Sequence, residues 1–169
     1  MIFRSPKEPP KLNPGSPLGF AALEVAVEEL GRGEAGGNNY GPDVVRYRRG
    51  IDDGGPWCAD FVSWCFLEGA KRLGLTVQFR VSRSARRLCA RIARAGFVVT
   101  TPRPGDVFLL SRGLAGSRKG HTGFVEHLQP DGATFTTIEG NRGAYPSKVG
   151  QFERRLGDGD LILIARAPL

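Results

Sequence analysis

An α+β fold, with N-terminal helices packed on a C-terminal antiparallel β-sheet, is predicted by a change of pattern along the chain. Before Gly96, apolar residues recur at the spacing of helices. After Gly96, short runs rich in β-branched and aromatic residues follow one another, and turn residues such as Pro104-Gly105 separate them. Helices followed by a meander of short strands are typical of this fold class.

The composition is that of a soluble globular domain of ordinary size. The chain has 169 residues, of which 40% are hydrophobic and 24% are charged. Residues 1–15 are rich in proline, so we expect an extended tail or linker ahead of one domain over residues 16–169. No apolar run is long enough for a transmembrane helix. The N-terminus also lacks an apolar secretory segment, so we expect synthesis in the cytoplasm without a Sec signal.

Helices are predicted in three places. The first begins at Ser16, a typical N-cap followed by proline, and ends at Gly31. The third covers residues 82–95, and its buried face is Ala85, Leu88, Cys89 and Ile92. The second spans roughly residues 57–70 and carries one apolar stripe made of Cys58, Phe61, Val62, Cys65, Phe66 and Gly69.

Loops and strands account for the rest of the predicted domain. The segment "GRGEAGGNNYGP" is predicted as a glycine-rich loop, and it lacks the spacing of a phosphate-binding loop. The predicted strands are "FVVTT", "DVFLLS", "HTGFVEHL", "TFTTIEG" and "DLILIARA".

The net charge of +7 indicates either an anionic partner or a basic bias of composition alone. Nucleic acid, anionic lipid and bacterial wall polymers are the candidate partners. Along the third helix, one side is lined by Arg83, Arg87, Arg91 and Arg94. That line of arginines is either a solvated face or a binding surface.

Cys58 is the cysteine best placed for chemistry, because it begins the second helix. The positive end of the helix macrodipole favours a thiolate there. The pattern alone leaves open that Cys58 only begins the apolar stripe. Cys65, two turns further along, and Cys89, on an apolar face, are expected to be inert core residues. Three cysteines are a poor disulfide framework, and two histidines without a CxxC motif do not favour zinc.

A nucleophilic cysteine needs a base and a group that orients it. His121 begins a predicted strand and His127 lies near its end, so alternation places both on one face, about 20 Å apart. His121, beside glycines at the start of the strand, is the more accessible. Glu139 and Asn141 point the same way from the end of the next strand, and either can hold the imidazole.

The motifs "PWCADFVSW", "PRPGDVFLL", "GHTGFVEH" and "TIEGN", in this order, resemble the CHAP family of cysteine, histidine-dependent amidohydrolases/peptidases. The resemblance covers residues 18–167, and "EAGGNNYGPDVVRYR" and "SRSARRL" are similar to the versions found in phage lysins and bacterial wall hydrolases. It implies a papain-like fold and cleavage of amide bonds in peptidoglycan. It also implies roles for four residues: Cys58 as nucleophile, His121 as base, Glu139 as the acidic third residue, and Asn141 as the polar residue beyond it.

Further expectations concern the cleft around Cys58. Its own backbone N–H is one expected oxyanion donor, and "NNY", with Asn39 and Tyr40, is the expected source of a second. Trp57 is either a cleft wall that binds substrate or a core anchor.

Neither a metal nor a cofactor is expected. Some members of the family bind calcium through acidic residues ahead of the nucleophile. The spacing of Asp52, Asp53 and Asp60 does not match that pattern.

The resemblance makes peptidoglycan the expected partner of a monomeric enzyme that acts on the bacterial cell wall. Anionic wall polymers are a further expected partner of its basic surface, whereas nucleic acid is not expected. Two alternatives are a non-catalytic module that binds anionic wall polymer or nucleic acid, and an amidase acting on a non-wall peptide conjugate. An intact Cys–His–Glu set argues against the non-catalytic module.

Overall fold

The computed structural model describes residues 14–169, so most of the predicted tail lies outside the described residues. The helices are α1 (Pro17–Glu28), α2 (Pro42–Tyr47), α3 (Cys58–Arg72) and α4 (Ala85–Ala95). The strands are β1 (Phe97–Val99), β2 (Val107–Ser111), β3 (Gly120–Leu128), β4 (Thr134–Glu139), β5 (Gly150–Arg155) and β6 (Leu161–Arg166). All the strands join one antiparallel sheet in the order β1-β6-β2-β3-β4-β5. The predicted α+β fold is therefore confirmed. None of the helices within residues 14–169 has the length and apolarity that a membrane crossing requires.

Helix α1 begins where its capping signal predicts. The Ser16 hydroxyl oxygen accepts a hydrogen bond from the Gly19 backbone N–H at 3.1 Å, and Pro17 occupies the first helical position. The apolar stripe of α3 is buried, as its periodicity predicts. Helices α1 and α3 approach closely at Gly69, where an added Cβ would lie 2.7 Å from the backbone nitrogen of Ala22.

Replacing Gly69 with alanine is expected to destabilise the fold by about 1–3 kcal/mol, because the methyl group forces two helix backbones apart. Gly157→Ala is the matched control, since nothing lies within 4 Å of a Cβ at that position. Urea denaturation of both variants measures the difference. Equal free energies of unfolding for the two variants would show that the α1–α3 contact tolerates the extra methyl group.

Two elements were not predicted from the sequence. Helix α2 is only six residues long, too short to show a helical period, and it buries Val44 and Tyr47. Strand β5 was not predicted because its buried residue is Arg154 rather than an apolar residue. An arginine at that position removes the apolar alternation by which strands are recognised.

The sheet has a buried side chain layer on both faces. Helices α3 and α4 cover the face that carries Thr122 and Phe124 of β3. The opposite face carries a second small core, formed by Phe108, Leu110, Val125, Phe135 and Ile164. His121 belongs to this second face, because its ring lies 6.2 Å from the Phe108 ring, centroid to centroid. His121 therefore lies on the face that carries the second core, and it shares a cavity with the start of α3.

The prediction that His121 and His127 share a face is wrong. The pairing of β3 with β4 shifts between Val125 and His127, as at a β-bulge. The extra residue reverses the alternation, so Leu128 packs into the second core, and His127 lines a pocket with Phe20 of α1.

The predicted line of four arginines on α4 also needs correction. The helix begins at Ala85, so Arg83 lies before it, where it pairs with Asp53 at 2.7 Å. Arg91 donates hydrogen bonds to two backbone carbonyls, those of residues 80 and 81, both at 3.1 Å. Arg87 and Arg94 are exposed to solvent, and their side chains make no hydrogen bond or ion pair with any of residues 14–169.

Candidate active site

Cys58 is the first residue of α3, and its side chain lines a cavity of about 660 Å³ that His121 also lines. Within residues 14–169, no side chain caps the start of this helix. The first N–H groups of α3 are thus left without an intrahelical partner, at the positive end of its macrodipole. This environment favours an anion, such as a reaction oxyanion, at the start of the helix.

The imidazole of His121 is held by Glu139. Its Nε2 atom lies 2.7 Å from a carboxylate oxygen of Glu139, and both side chains are buried. Because Nε2 is occupied, Nδ1 is the ring nitrogen left to face the Cys58 thiol. Burial is the largest influence on the pKa of His121 and lowers it. The neighbouring Cys58 and Glu139 side chains outweigh burial, so the pKa of His121 is raised. A protonated imidazole beside Cys58 is therefore favoured.

Glu139 is the most heavily engaged side chain of the site. Besides His121, it accepts hydrogen bonds from Thr137 Oγ1 at 2.6 Å and from Arg142 Nη1 at 3.3 Å. Arg154 of β5 adds two more, both at 2.9 Å. Burial raises the pKa of this carboxyl. The hydrogen bonds to His121 and Arg154 lower the pKa by more than burial raises it, to about 2. Glu139 is thus a carboxylate at neutral pH.

Folding shifts the pKa values of Glu139 and His121 in opposite directions, so the two groups make stability depend on pH in opposite ways. Since folding lowers the pKa of Glu139, its stabilising contribution is complete above its ordinary pKa of 4.5 and is lost as the pH falls towards about 2. Since folding raises the pKa of His121, its contribution is complete below 6.5 and is lost as the pH rises through the raised pKa.

We therefore expect the difference in unfolding free energy between wild type and Glu139→Gln to shrink as the pH falls from 4.5 towards about 2. Urea denaturation of both proteins across this interval measures the difference. A difference that stays constant down to about pH 2 would contradict the ionised state of this carboxyl.

Asn141 lines the same cavity but does not hold the imidazole in this structure, where Glu139 does. Its backbone φ is 59°, a left-handed conformation that asparagine tolerates better than most residues. The chain turns sharply there, directly after β4, and so brings Arg142 back to Glu139.

Trp57, Asn39 and Tyr40 are not among the described residues that line the cavity. Trp57 is completely buried and its indole N–H donates to Glu34 at 3.0 Å, so it is a core anchor. The backbone N–H of Asn39 also donates to Glu34, at 3.0 Å, which removes it as an oxyanion donor. Tyr40 packs against Gly54 instead.

Glu34 is a buried carboxylate beside the start of α3, and its role was not predicted from the sequence. Besides Trp57 and Asn39, it accepts a hydrogen bond from the Ser147 backbone N–H at 2.7 Å. It therefore ties together the glycine-rich loop, the start of α3 and the segment after Asn141. A lone acidic residue in "GRGEAGG" was the available signal, since an isolated carboxylate among glycines suits hydrogen bonding to backbone N–H groups.

Two of the three acidic residues near Cys58, Asp53 and Asp60, are paired with arginines. Asp53 binds Arg83 through both carboxylate oxygens, at 2.7 and 2.9 Å, and the hydrogen bonds to Arg83 lower its pKa. Asp60 is buried, which raises its pKa, and it lies 3.2 Å from Arg83 and 3.7 Å from Arg48. Asp52 is exposed. In the part of the chain that the structure describes, no three His, Cys, Asp or Glu side chains group as metal ligands.

A cysteine at a helix start, a buried histidine and a carboxylate, on an α+β domain, are the groups that nucleophilic catalysis by a cysteine requires. The family model for the CHAP domain matches residues 50–141, more than half of the chain, and these residues include all three groups. The chain belongs to the CHAP domain family, and it is a hydrolase of the amidase/peptidase type. No curated protein matches the chain.

Proposed function

We propose that the protein hydrolyses an amide bond in the peptide part of peptidoglycan, with Cys58 as nucleophile, in the manner of a phage or bacterial wall lysin. The observation that carries the proposal is the shared cavity of Cys58 and His121, with His121 held by the buried carboxylate of Glu139. We also propose that the protein acts at the bacterial cell wall, which is where this substrate is found.

Acylation begins from a Cys58 thiolate beside a protonated His121. The thiolate attacks the substrate carbonyl carbon, and the carbonyl electron pair moves onto oxygen. The backbone N–H of Cys58, uncapped at the start of α3, donates a hydrogen bond to that oxyanion. When the carbonyl re-forms, the C–N bond breaks and His121 gives its proton to the leaving amine. The product of this half-reaction is a thioester on Cys58.

Deacylation uses the same groups in reverse. Neutral His121 takes a proton from a water molecule, and the resulting hydroxide attacks the thioester carbonyl. The C–S bond breaks, a carboxylic acid product leaves, and the thiolate–imidazolium pair is restored. Glu139 keeps the imidazole oriented and stabilises its charged form throughout.

Purified peptidoglycan sacculi test this proposal. We expect the wild-type protein to clear a sacculus suspension and to release peptides whose mass spectra show one new amine and one new carboxyl group for each bond cut. The Cys58→Ala protein at the same concentration is the control for binding without cleavage. Intact sacculi with the wild-type protein, together with cleavage of a soluble non-wall peptide amide, would support the amidase alternative instead.

A further inference from the structure

The cavity around Cys58 is strongly cationic. No aspartate or glutamate is among the described residues that line it. The cationic side chains that line it are Arg83, Arg112, Arg118, Lys119, Arg142 and Arg154. Three of these are already engaged by carboxylates, since Arg83 binds Asp53 while Arg142 and Arg154 bind Glu139.

Three cations of the cavity are left over. Arg112, Arg118 and Lys119 lie on the loop of residues 112–119 between β2 and β3, and each is exposed. Their side chains make no hydrogen bond or ion pair with any of residues 14–169. We call these three side chains the loop cations.

The loop that carries these cations is fixed by hydrogen bonds at its C-terminal end. The backbone carbonyl of Lys119 accepts hydrogen bonds from the Arg86 side chain at 3.1 Å and from the Arg112 backbone N–H at 3.2 Å. Lys119 is also only two residues from His121. The positive charge is therefore held next to the catalytic candidates.

Arg142 lies near charges of both signs beside the cavity. Burial is the largest cause that lowers the pKa of Arg142. Glu139 and Asp160 raise that pKa, whereas the guanidinium groups of Arg154 and Arg112 lower it. The neighbouring guanidinium groups repel one another, and a bound anion would relieve that repulsion.

We propose that the loop cations Arg112, Arg118 and Lys119 form a subsite for a free carboxylate that the substrate carries beside the scissile amide bond. The inference rests on the proposed function and names the substrates that the site favours: stem peptides whose side carboxylate is free, over those in which it is a carboxamide. A peptide carboxylate fits better than a wall-polymer phosphate, because the loop cations share one cavity with the nucleophile. The anion must therefore belong to the part of the molecule that is being cut.

The test is a binding measurement with the Cys58→Ala protein, which binds without cleaving. The probes are two synthetic stem peptides that differ only in one group, a free carboxylate or a carboxamide beside the amide bond. We expect the carboxylate peptide to bind about tenfold more tightly. In a variant with the three loop cations replaced by glutamine, the two affinities should become nearly equal. The matched control, Arg87→Gln with Arg94→Gln, removes exposed charge outside the cavity and should keep the preference.

Equal affinity for the two peptides in the Cys58→Ala protein would overturn the proposal, and so would a preference that survives the loop substitutions. A phosphodiester wall polymer that displaces the carboxylate peptide, at a concentration where inorganic phosphate does not, would reassign the subsite to wall polymer. Hydrolysis of the same peptides by the wild-type protein separates the two claims. Equal cleavage rates count against the subsite alone, whereas a binding preference without cleavage supports the subsite and counts against the proposed function.

Discussion

Replacing Cys58 with alanine is expected to lower peptidoglycan hydrolysis by about a thousandfold or more, because Cys58 is the one cysteine among the described residues that line the cavity. The fold should survive, since alanine suits the first turn of α3 and leaves its apolar stripe unchanged. The measurements are the rate of release of soluble wall peptides and the urea denaturation midpoint. Loss of activity together with loss of the folded state would leave the catalytic role of Cys58 unsupported.

Cys65→Ala is the matched control for Cys58→Ala. Cys65 lies two turns further along the same helix and is completely buried, and burial raises the pKa of its thiol far above the ordinary value. We expect Cys65→Ala to retain hydrolysis and to lose about 1–3 kcal/mol of stability. Equal losses of activity in the two variants would contradict the assignment of the nucleophile.

Replacing Glu139 with glutamine is expected to reduce both activity and stability. The imidazole loses the charge that favours its protonated form, which should lower kcat/KM by about 10²–10⁴. The buried Arg154 also loses its ion pair, which should cost about 3–5 kcal/mol in the free energy of unfolding. Activity assays on soluble wall peptides and urea denaturation measure the two effects separately.

Asn141→Gly is the comparison for Glu139→Gln. Asn141 lines the cavity in a left-handed conformation that glycine adopts without strain. Because Glu139 already holds His121, we expect Asn141→Gly to lower kcat/KM far less than Glu139→Gln does. If the asparagine variant loses as much, the imidazole depends on both residues, and the orienting role assigned to Glu139 alone is wrong.

Most of the fold could be predicted because its helices and strands follow local rules. Ser16 caps α1 as its position indicates, and the stripe of α3 is buried. What could not be predicted depends on tertiary structure. Arg154 is buried where its side chain donates hydrogen bonds to Glu139 of the neighbouring strand, and the bulge that separates His121 from His127 leaves no local signal.

The site could be predicted in part for the same reason. The motifs place Cys58 at a helix start and His121 at a strand start, which are local features. By contrast, Glu34 ties together three segments that are distant in sequence, and only the folded chain shows that Trp57 is its partner. The loop cations lie in a segment without periodicity, and their relation to the cavity depends on the β2–β3 pairing.

Limited alkylation with iodoacetamide tests the central claim, that Cys58 performs the hydrolysis, most directly. All three cysteines are free thiols, and Cys58 lines the cavity whereas Cys65 and Cys89 are completely buried. Peptide mapping should find the label on Cys58 alone, and hydrolysis of peptidoglycan should fall in proportion to the labelled fraction. Complete labelling of Cys58 with undiminished hydrolysis would contradict the account.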